Sequence, residues 1–273
     1  MIRRWCTGLA AMALVTGTWM AAGSASAATH DAQALARSAA SGFTPGGLMI
    51  RPEAAQRPGA TVNARDRATE STNWSGYAAT GNNGAFTSVS ASWTEPTATC
   101  TSSGDKYAAF WVGLDGYNSD SVEQTGTDSD CAGRTPDYYG WYEMFPADPV
   151  YFTNVVKPGD AMSASVTFSG TETYTLVLKD VTRGWTKTIT KKQAGLDRSS
   201  AEVITEAPSS ETGVLPLADF GTVDYTAAKA NGASLESRAP TEIIMVDSSG
   251  HQEDSTSAIT SAGAFHNTWI RST

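Results

Sequence analysis

The chain has 273 residues, 40% hydrophobic and 17% charged, which suits one or two globular domains and excludes a disordered or fibrous protein. It carries 19 basic and 28 acidic residues, for a formal net charge of −9, so a surface that binds nucleic acid is not expected. Three cysteines and three histidines are too few for zinc-finger arrays or a dense disulfide scaffold. We expect no metal and no cofactor.

The first 27 residues have the three parts of a secretory signal peptide. Arg3 and Arg4 precede an apolar run at residues 9–22, and small residues follow at 25–27, the pattern that a signal peptidase cleaves. A membrane anchor is the alternative, but the run is short, contains Thr and Gly, and lacks a stop-transfer flank. We expect residues 1–27 to be removed, and the mature protein to be extracellular and free of the membrane.

The cysteine count predicts one disulfide. Cys6 leaves with the signal peptide, and Cys100 and Cys131 remain as an even pair in an exported protein. Closing a loop of about 30 residues contributes roughly 3 to 4 kcal/mol to the free energy of unfolding in the chain-entropy model.

Residues 28–70 differ in composition from the rest and resemble a propeptide or linker. Residues 1–70 hold seven arginines and four acids, whereas residues 71–273 hold 12 basic and 24 acidic residues. A basic leader could pair with an acidic domain at neutral pH and detach when the carboxylates gain protons, which makes it a candidate inhibitor. An export spacer with incidental charge is the alternative.

Residues 71–273 are dominated by alternating apolar and polar residues, the period of a half-buried β-strand. The alternation is clearest from Met162 to Phe168 and recurs at residues 89–93, 174–178 and 265–269. Clusters of Gly, Pro, Asn and Asp separate the runs, and no long amphipathic helix intervenes. The pattern predicts an all-β domain, an antiparallel two-sheet β-sandwich.

Acids are the most plentiful groups for chemistry. His251 and His266 are the only histidines after residue 70 and lack metal-ligand spacing, although a Ser-His-Asp site assembled in space stays open. Polar residues concentrate at 110–128 and 201–206. On a strand Glu202 and Glu206 share a face but lie about 13 Å apart, too far for a glycosidase pair.

Six motifs in residues 71–273 resemble those of the glutamic peptidases, or eqolisins, in order and spacing. They are Asn-Trp-Ser-Gly at 73–76, Trp-Val-Gly-Leu-Asp-Gly at 111–116, Gln-Thr-Gly-Thr-Asp at 124–128, Trp-Tyr-Glu at 141–143, Ala-Glu-Val-Ile-Thr-Glu at 201–206 and Phe-Gly-Thr-Val at 220–223. The resemblance implies a two-sheet β-sandwich, an inhibitory propeptide, and endopeptidase activity on polypeptides at acid pH that pepstatin does not block. It also implies that Gln124 and Glu206 are the catalytic pair.

The chemistry of this pair is reasonable in itself. A glutamate with an ordinary pKa near 4.3 can take a proton from water at mildly acidic pH and return it to the leaving amine. A glutamine is uncharged at every pH, and its N–H groups can stabilise the oxyanion of a tetrahedral intermediate. We expect a monomeric enzyme that needs neither an acyl-enzyme nor a metal.

Further residues match supporting positions of the family's site, and each also has an ordinary structural interpretation. Trp74 and Trp111 match positions that line the substrate cleft, although a Trp in a β-sandwich is ordinarily core. Asp115 and Asp128 match acids that hydrogen-bond near the pair, with turn-forming Asp as the alternative. Glu143 matches a buried acid that tunes the site, or is a partnered strand residue. Strand alternation places the Glu123 side chain on the opposite face from Gln124.

Two positions depart from the family pattern. Val203 stands where the family usually has Trp, and Tyr139 stands where it commonly has an acid. We expect these changes to affect the shape of the substrate pocket and the pKa values of the acids more than the reaction.

Two other functions stay open. One is a non-catalytic carbohydrate-binding or adhesion β-sandwich whose stacking platform is Trp74, Trp93, Trp111 and Tyr139. The other is a glycosidase that pairs Asp115 or Asp128 with Glu206, for which no spacing argument exists.

Overall fold

The structure is a computed structural model that describes residues 68–101, 104–210 and 213–272. The predicted signal peptide, Cys6 and residues 28–67 of the predicted leader lie outside the described residues. The described chain begins with a strand that crosses the expected boundary at residue 70.

The described chain is built almost entirely from β-strands. In order, they are β1 Thr69–Ser71, β2 Trp74–Thr80, β3 Ser88–Thr94, β4 Ala109–Leu114, β5 Val122–Ala132, β6 Thr135–Phe145, β7 Val150–Tyr151, β8 Ala161–Phe168, β9 Thr173–Asp180, β10 Trp185–Lys192, β11 Ser200–Glu206, β12 Ser209–Ser210, β13 Gly213–Val214, β14 Thr222–Ala230, β15 Ala233–Ser234, β16 Thr241–Met245, β17 Asp254–Thr256 and β18 Phe265–Trp269. The single 3₁₀ turn of the described residues covers Glu236–Arg238. No helix in the described part of the chain is long and apolar enough to cross a membrane.

The strands form two large sheets and one small ribbon. Sheet 1 has the order β1-β16-β2-β11-β4-β5-β6-β7, and sheet 2 has the order β10-β9-β8-β3-β14-β18-β17 with β15 beside β14. All neighbours pair antiparallel except β1 and β16, which are parallel. The third sheet is the β12-β13 ribbon.

The main hydrophobic core lies between the two sheets. Alternate residues of β4 and β11 on sheet 1, such as Phe110 and Val203, belong to one buried cluster with residues of β3, β8 and β9 on sheet 2. A second, smaller cluster takes the intervening residues of sheet 1 alone, including Trp74, Trp111 and Trp141. The centre of sheet 1 is therefore buried on both faces, which explains why every residue of β4 and β11 is buried.

The fold confirms the all-β sandwich expected from the alternation. The runs near residues 89, 162, 174 and 265 become β3, β8, β9 and β18. Cys100 and Cys131 form the expected disulfide, with Cα atoms 5.4 Å apart.

Candidate active site

The candidate residues lie on the outer face of sheet 1, the face turned away from sheet 2. Residues paired on neighbouring strands point to the same face, as do residues two apart on one strand. The register therefore arranges this face in three rows across β2, β11, β4, β5 and β6. The first row is Ala78, Glu202, Gly113, Gln124 and Glu143; the second is Gly76, Ile204, Trp111, Gly126 and Trp141; the third is Trp74, Glu206, Ala109, Asp128 and Tyr139.

Gln124 and Glu206 lie on opposite sides of Trp111. The three residues occupy the first, second and third rows on consecutive strands β5, β4 and β11, so each is the diagonal neighbour of the next. Diagonal neighbours in a sheet are about 7–8 Å apart at their Cα atoms. The register therefore places Trp111 between the two residues that the motifs single out.

Glu206 is a buried carboxyl surrounded by N–H donors. Trp111 donates from Nε1 to Oε2 at 2.8 Å, and Asn73 donates from Nδ2 to Oε1 at 3.3 Å. Burial raises the pKa of Glu206 to about 8, while the N–H groups of Trp111, Trp74 and Asn73 oppose the rise because they favour the ionised form. The structure thus changes the expectation from an unperturbed glutamate: at acid pH this carboxyl carries a proton.

The amide of Gln124 is oriented by Glu143. Gln124 Nε2 donates to Glu143 Oε2 at 2.5 Å, while Gln124 Oε1 has no hydrogen-bond partner in the described structure. An amide nitrogen carries two protons, so one N–H and the carbonyl oxygen stay available to a bound group. Burial raises the pKa of Glu143 well above its usual range, and the charge of Glu206 adds to that rise. Glu143 is therefore a partnered acid in direct contact with Gln124.

Two glycines make room for Trp111, Gly113 for its ring and Gly126 for its backbone and Cβ. A Cβ at Gly113 would lie 2.8 Å from a ring carbon of Trp111, and one at Gly126 would lie 2.2 Å from the Phe110 carbonyl oxygen and 2.6 Å from Trp111 Cβ. Trp74 packs edge-on against Trp111 with ring centroids 4.9 Å apart. Both tryptophans therefore belong to the site, although both are also buried.

Asp115 is not hydrogen-bonded to the pair. It sits in the turn after β4 with φ of 68°, and accepts the backbone N–H groups of Arg198 and Ser199 at 2.7 and 2.8 Å. These bonds hold the residues that lead into β11. The turn-forming alternative describes Asp115 best, and its link to the site is indirect.

Asp128 lies in the same row as Glu206, with only Ala109 between them. It accepts the Trp141 Nε1–H at 2.5 Å and contacts the Tyr139 hydroxyl at 3.1 Å. That hydroxyl also bonds to Asp130, an acid that the motifs did not single out. The tyrosine that replaces the family's usual acid thus joins a second pair of carboxyls.

The other departure, Val203, does not have the expected effect on the shape of the substrate pocket. Its side chain belongs to the core between the sheets, so it does not shape the outer face of sheet 1. Glu123 also faces that core, as alternation predicted, and neither of its carboxyl oxygens has a hydrogen-bond partner in the described structure.

The stacking platform of the carbohydrate-binding alternative is not one surface. Trp93 lies in the core between the sheets and donates its N–H to Thr127 at 3.0 Å, whereas Trp74 and Trp111 lie on the outer face. The expectation that Trp93 joins them was wrong, because β3 belongs to sheet 2. His251 is exposed and contacts Asp247 at 3.1 Å, far in sequence and environment from the outer-face rows.

A buried glutamate and glutamine around one tryptophan, on the outer face of a two-sheet β-sandwich, fit the motifs that suggested a glutamic peptidase. The chain belongs to the Peptidase A4 family, whose model matches residues 72–269. It is a glutamic-type endopeptidase.

Individual relatives agree. The chain is 26% identical to Aspergillopepsin-2 of Aspergillus niger over 204 residues, which cover 66% of this chain and 72% of the relative. The crystal structure of scytalido-glutamic peptidase with a peptide-based transition state analog superposes with a TM-score of 0.62 at 25% identity, covering 73% of this chain and 98% of the other. Aspergilloglutamic peptidase from Aspergillus niger shares the fold, with a TM-score of 0.54 at 24% identity over 60% of this chain and 99% of the other.

Proposed function

We propose that the protein is a secreted, monomeric, acid-active endopeptidase that hydrolyses polypeptides with Glu206 and Gln124. The observation that carries the proposal is the placement of these two side chains on either side of Trp111 on one face. The transition-state analog bound to the scytalido-glutamic peptidase is peptide-based, which supports a polypeptide substrate for this relative of it.

The raised pKa of Glu206 determines the order of proton transfers in this proposal. With a pKa of about 8, Glu206 starts protonated at acid pH. It gives that proton to the carbonyl oxygen of the scissile bond, while its other oxygen takes a proton from the attacking water. It then protonates the leaving nitrogen and recovers a proton from the hydroxyl of the tetrahedral intermediate as the C–N bond breaks.

Gln124 supplies the uncharged donor and acceptor groups that these proton transfers need. Its free N–H can donate to the oxygen of the tetrahedral intermediate, and its unpartnered Oε1 can accept from the attacking water. Glu143 holds the other N–H, so the amide is already turned toward the substrate. Removing one such donor costs on the order of 3 kcal/mol in the barrier, a hundredfold or more in rate.

The basic leader is proposed to inhibit the domain until acid releases it. The described chain enters the domain at β1, where Thr69 Oγ1 lies 3.3 Å from the Tyr117 hydroxyl, and Tyr117 packs against the aromatic cluster of the outer face. The leader therefore joins the domain beside the site. Protonation of acids in the domain would weaken its pairing with the arginines of the leader.

One experiment tests the proposal as a whole. Secreted protein is treated with acid, its new N-terminus is sequenced, and cleavage of a denatured protein is followed from pH 2 to 8 with and without pepstatin. We expect pepstatin-insensitive cleavage at acid pH that declines as the pH rises toward 8, and a new N-terminus before residue 71. Activity that increases with pH across this range would contradict the proton order, and inhibition by pepstatin would contradict the mechanism.

A further inference from the structure

Tyr139 stands between two buried carboxyls at the β6 side of the site. Its hydroxyl bonds to Asp130 Oδ2 and lies 3.1 Å from Asp128 Oδ2. The remaining oxygen of each acid is also occupied: Asp128 Oδ1 accepts the Trp141 indole N–H at 2.5 Å, and Asp130 Oδ1 accepts the Ala108 backbone N–H at 3.1 Å. All four carboxyl oxygens therefore have partners.

Counting protons shows that this arrangement needs one extra proton. A tyrosine hydroxyl carries a single proton, so it donates to one carboxyl and accepts from the other. An ionised carboxylate only accepts. One of the two acids must therefore be protonated for both contacts with Tyr139 to be hydrogen bonds. The chain then runs from the Trp141 indole through Asp128, Tyr139 and Asp130 to the backbone just before β4.

The indole at the start of this chain belongs to the floor of the site. Trp141 and Trp111 lie in the same row on either side of Gly126, and Trp111 donates to Glu206. Trp141 also lies two residues before Glu143, which orients Gln124. Holding the Trp141 ring through Asp128 thus fixes the β6 side of the surface on which both catalytic side chains rest.

The groups around the acid pair favour retention of the proton. They are Glu95 from the segment after β3, Asp137 on β6 and Tyr151 on β7, none of which is a cation. Neither acid forms an ion pair with a lysine or arginine in the described part of the chain. Burial and the mutual repulsion of the acids raise the pKa of Asp128 well above its usual range, in agreement with the proton count.

We propose that Tyr139 is a positioning residue for the peptidase reaction, which holds Asp128 and Asp130 around one shared proton and thereby fixes the Trp141 indole on the outer face, in the row of Trp111 and diagonal to Gln124. Loss of the shared proton at higher pH breaks one contact of the chain and loosens Trp141. The kinetic part of this inference rests on the proposed function, whereas the proton and the indole can be observed without any activity.

The test compares Tyr139→Phe with Tyr138→Phe. Tyr138 is the next residue on β6, and its hydroxyl accepts the Ala98 backbone N–H at 3.1 Å, so its loss removes a hydroxyl from the same strand without touching the acid pair. We expect Tyr139→Phe to lower kcat roughly tenfold at acid pH with little change in KM, because a buried hydrogen bond to each acid is lost. Tyr138→Phe should leave kcat and its pH profile unchanged.

A third variant, Asp130→Asn, should remove the need for the shared proton. The amide N–H of the asparagine can donate to the Tyr139 oxygen, which then donates to ionised Asp128. The indole N–H signal of Trp141, followed by NMR in ¹⁵N-labelled full-length protein and assigned with Trp141→Phe, reports the chain directly. In the wild type it should shift as the pH rises, in Asp130→Asn it should stay fixed to higher pH, and in Tyr139→Phe it should differ at every pH.

The outcomes separate this inference from the proposed function. If neither the wild type nor any variant cleaves peptides, but the Trp141 indole signal behaves as expected, then the proposed function is wrong and the hydrogen-bonded chain is supported. A Trp141 signal that titrates identically in wild type and Asp130→Asn would overturn the shared proton. A Tyr139→Phe enzyme with the kcat, KM and pH profile of Tyr138→Phe would overturn the positioning role.

Discussion

Two buried glutamates on opposite faces of sheet 1 differ in the hydrogen bonds that their carboxyl groups make. On the outer face, Glu206 accepts N–H groups from Trp111 and Asn73. On the face toward sheet 2, both oxygens of Glu123 are without a hydrogen-bond partner in the described structure. Burial raises the pKa of Glu206 to about 8 and that of Glu123 to about 9. The two carboxyls are therefore alike in burial and in the direction of their pKa shifts, and they differ in the N–H donors around them.

The largest difference is expected in activity. Glu206→Gln should reduce kcat/KM by about a thousandfold or more, because a positioned proton donor contributes roughly 10² to 10⁴ in rate, whereas Glu123→Gln should leave it within about twofold. Gln124→Ala should lose about a hundredfold or more. Steady-state kinetics at acid pH measure all three, and a Glu123→Gln enzyme as inactive as Glu206→Gln would end the comparison.

The next effect is on stability, where the buried glutamates, Glu206 and Glu123 among them, should behave alike. Folded Glu95, Glu123 and Glu206 retain protons, with pKa values of about 8, 9 and 8, that the unfolded chain releases above about pH 4.5. The free energy of unfolding should therefore be greatest below that pH and fall as the pH rises toward 8, by about 1.4 kcal/mol per pH unit for each group.

Urea unfolding at pH 4, 6 and 8 measures that slope. Glu123→Gln and Glu206→Gln should each reduce the slope of the free energy of unfolding against pH by the contribution of one group, about 1.4 kcal/mol per pH unit. Only Glu206→Gln should also affect catalysis. A stability that rises from pH 4 to pH 8 would show that these carboxyls ionise in the folded protein.

The smallest effect comes from two tryptophan N–H groups, that of Trp111 on the outer face of sheet 1 and that of Trp93 in the core between the sheets. Trp111→Phe removes a donor to ionised Glu206, so the pKa of Glu206 should rise further and the decline in activity should move to higher pH. It should also lower kcat roughly tenfold, because a lost hydrogen bond worth about 1.4 kcal/mol raises the barrier by that amount. Trp93→Phe is the matched control, because its N–H serves Glu95 and Thr127 in the core between the sheets. It should lower the stability and leave the pH profile unchanged.

The strands could be predicted from the sequence because they need only local information. Apolar residues alternate over β8 and β9 with one face toward the core, and that period shows directly in the residue order. Gln124 and Glu206 were found through a resemblance of motifs, since the 81 positions between them carry no spacing rule. Strand alternation correctly separated Gln124 from Glu123.

Long-range contacts limited the prediction at the site. Asp130 joins the acid network only because β5 and β6 pair so that Tyr139 reaches it, and Glu95 meets Thr127 and Ser129 across the two sheets. Val203 shows that the sequence can also suggest an effect on the site that the fold does not produce. Its departure from the motif looked like a change in the pocket, but parity along β11 turns it toward sheet 2.

The disulfide has a practical consequence for how the protein is made. Cys131 directly follows Asp130 at the end of β5, and its backbone pairs with Lys106 just before β4. The covalent bond to Cys100 thus clamps the end of the strand on which Gln124, Asp128 and Asp130 all lie. In a host compartment that keeps thiols reduced, that strand end is held by hydrogen bonds and core packing without the covalent bond. Material from such a compartment should show a weakened acid network before it shows any loss of strands, so preparations for the experiments above belong in an oxidising export route.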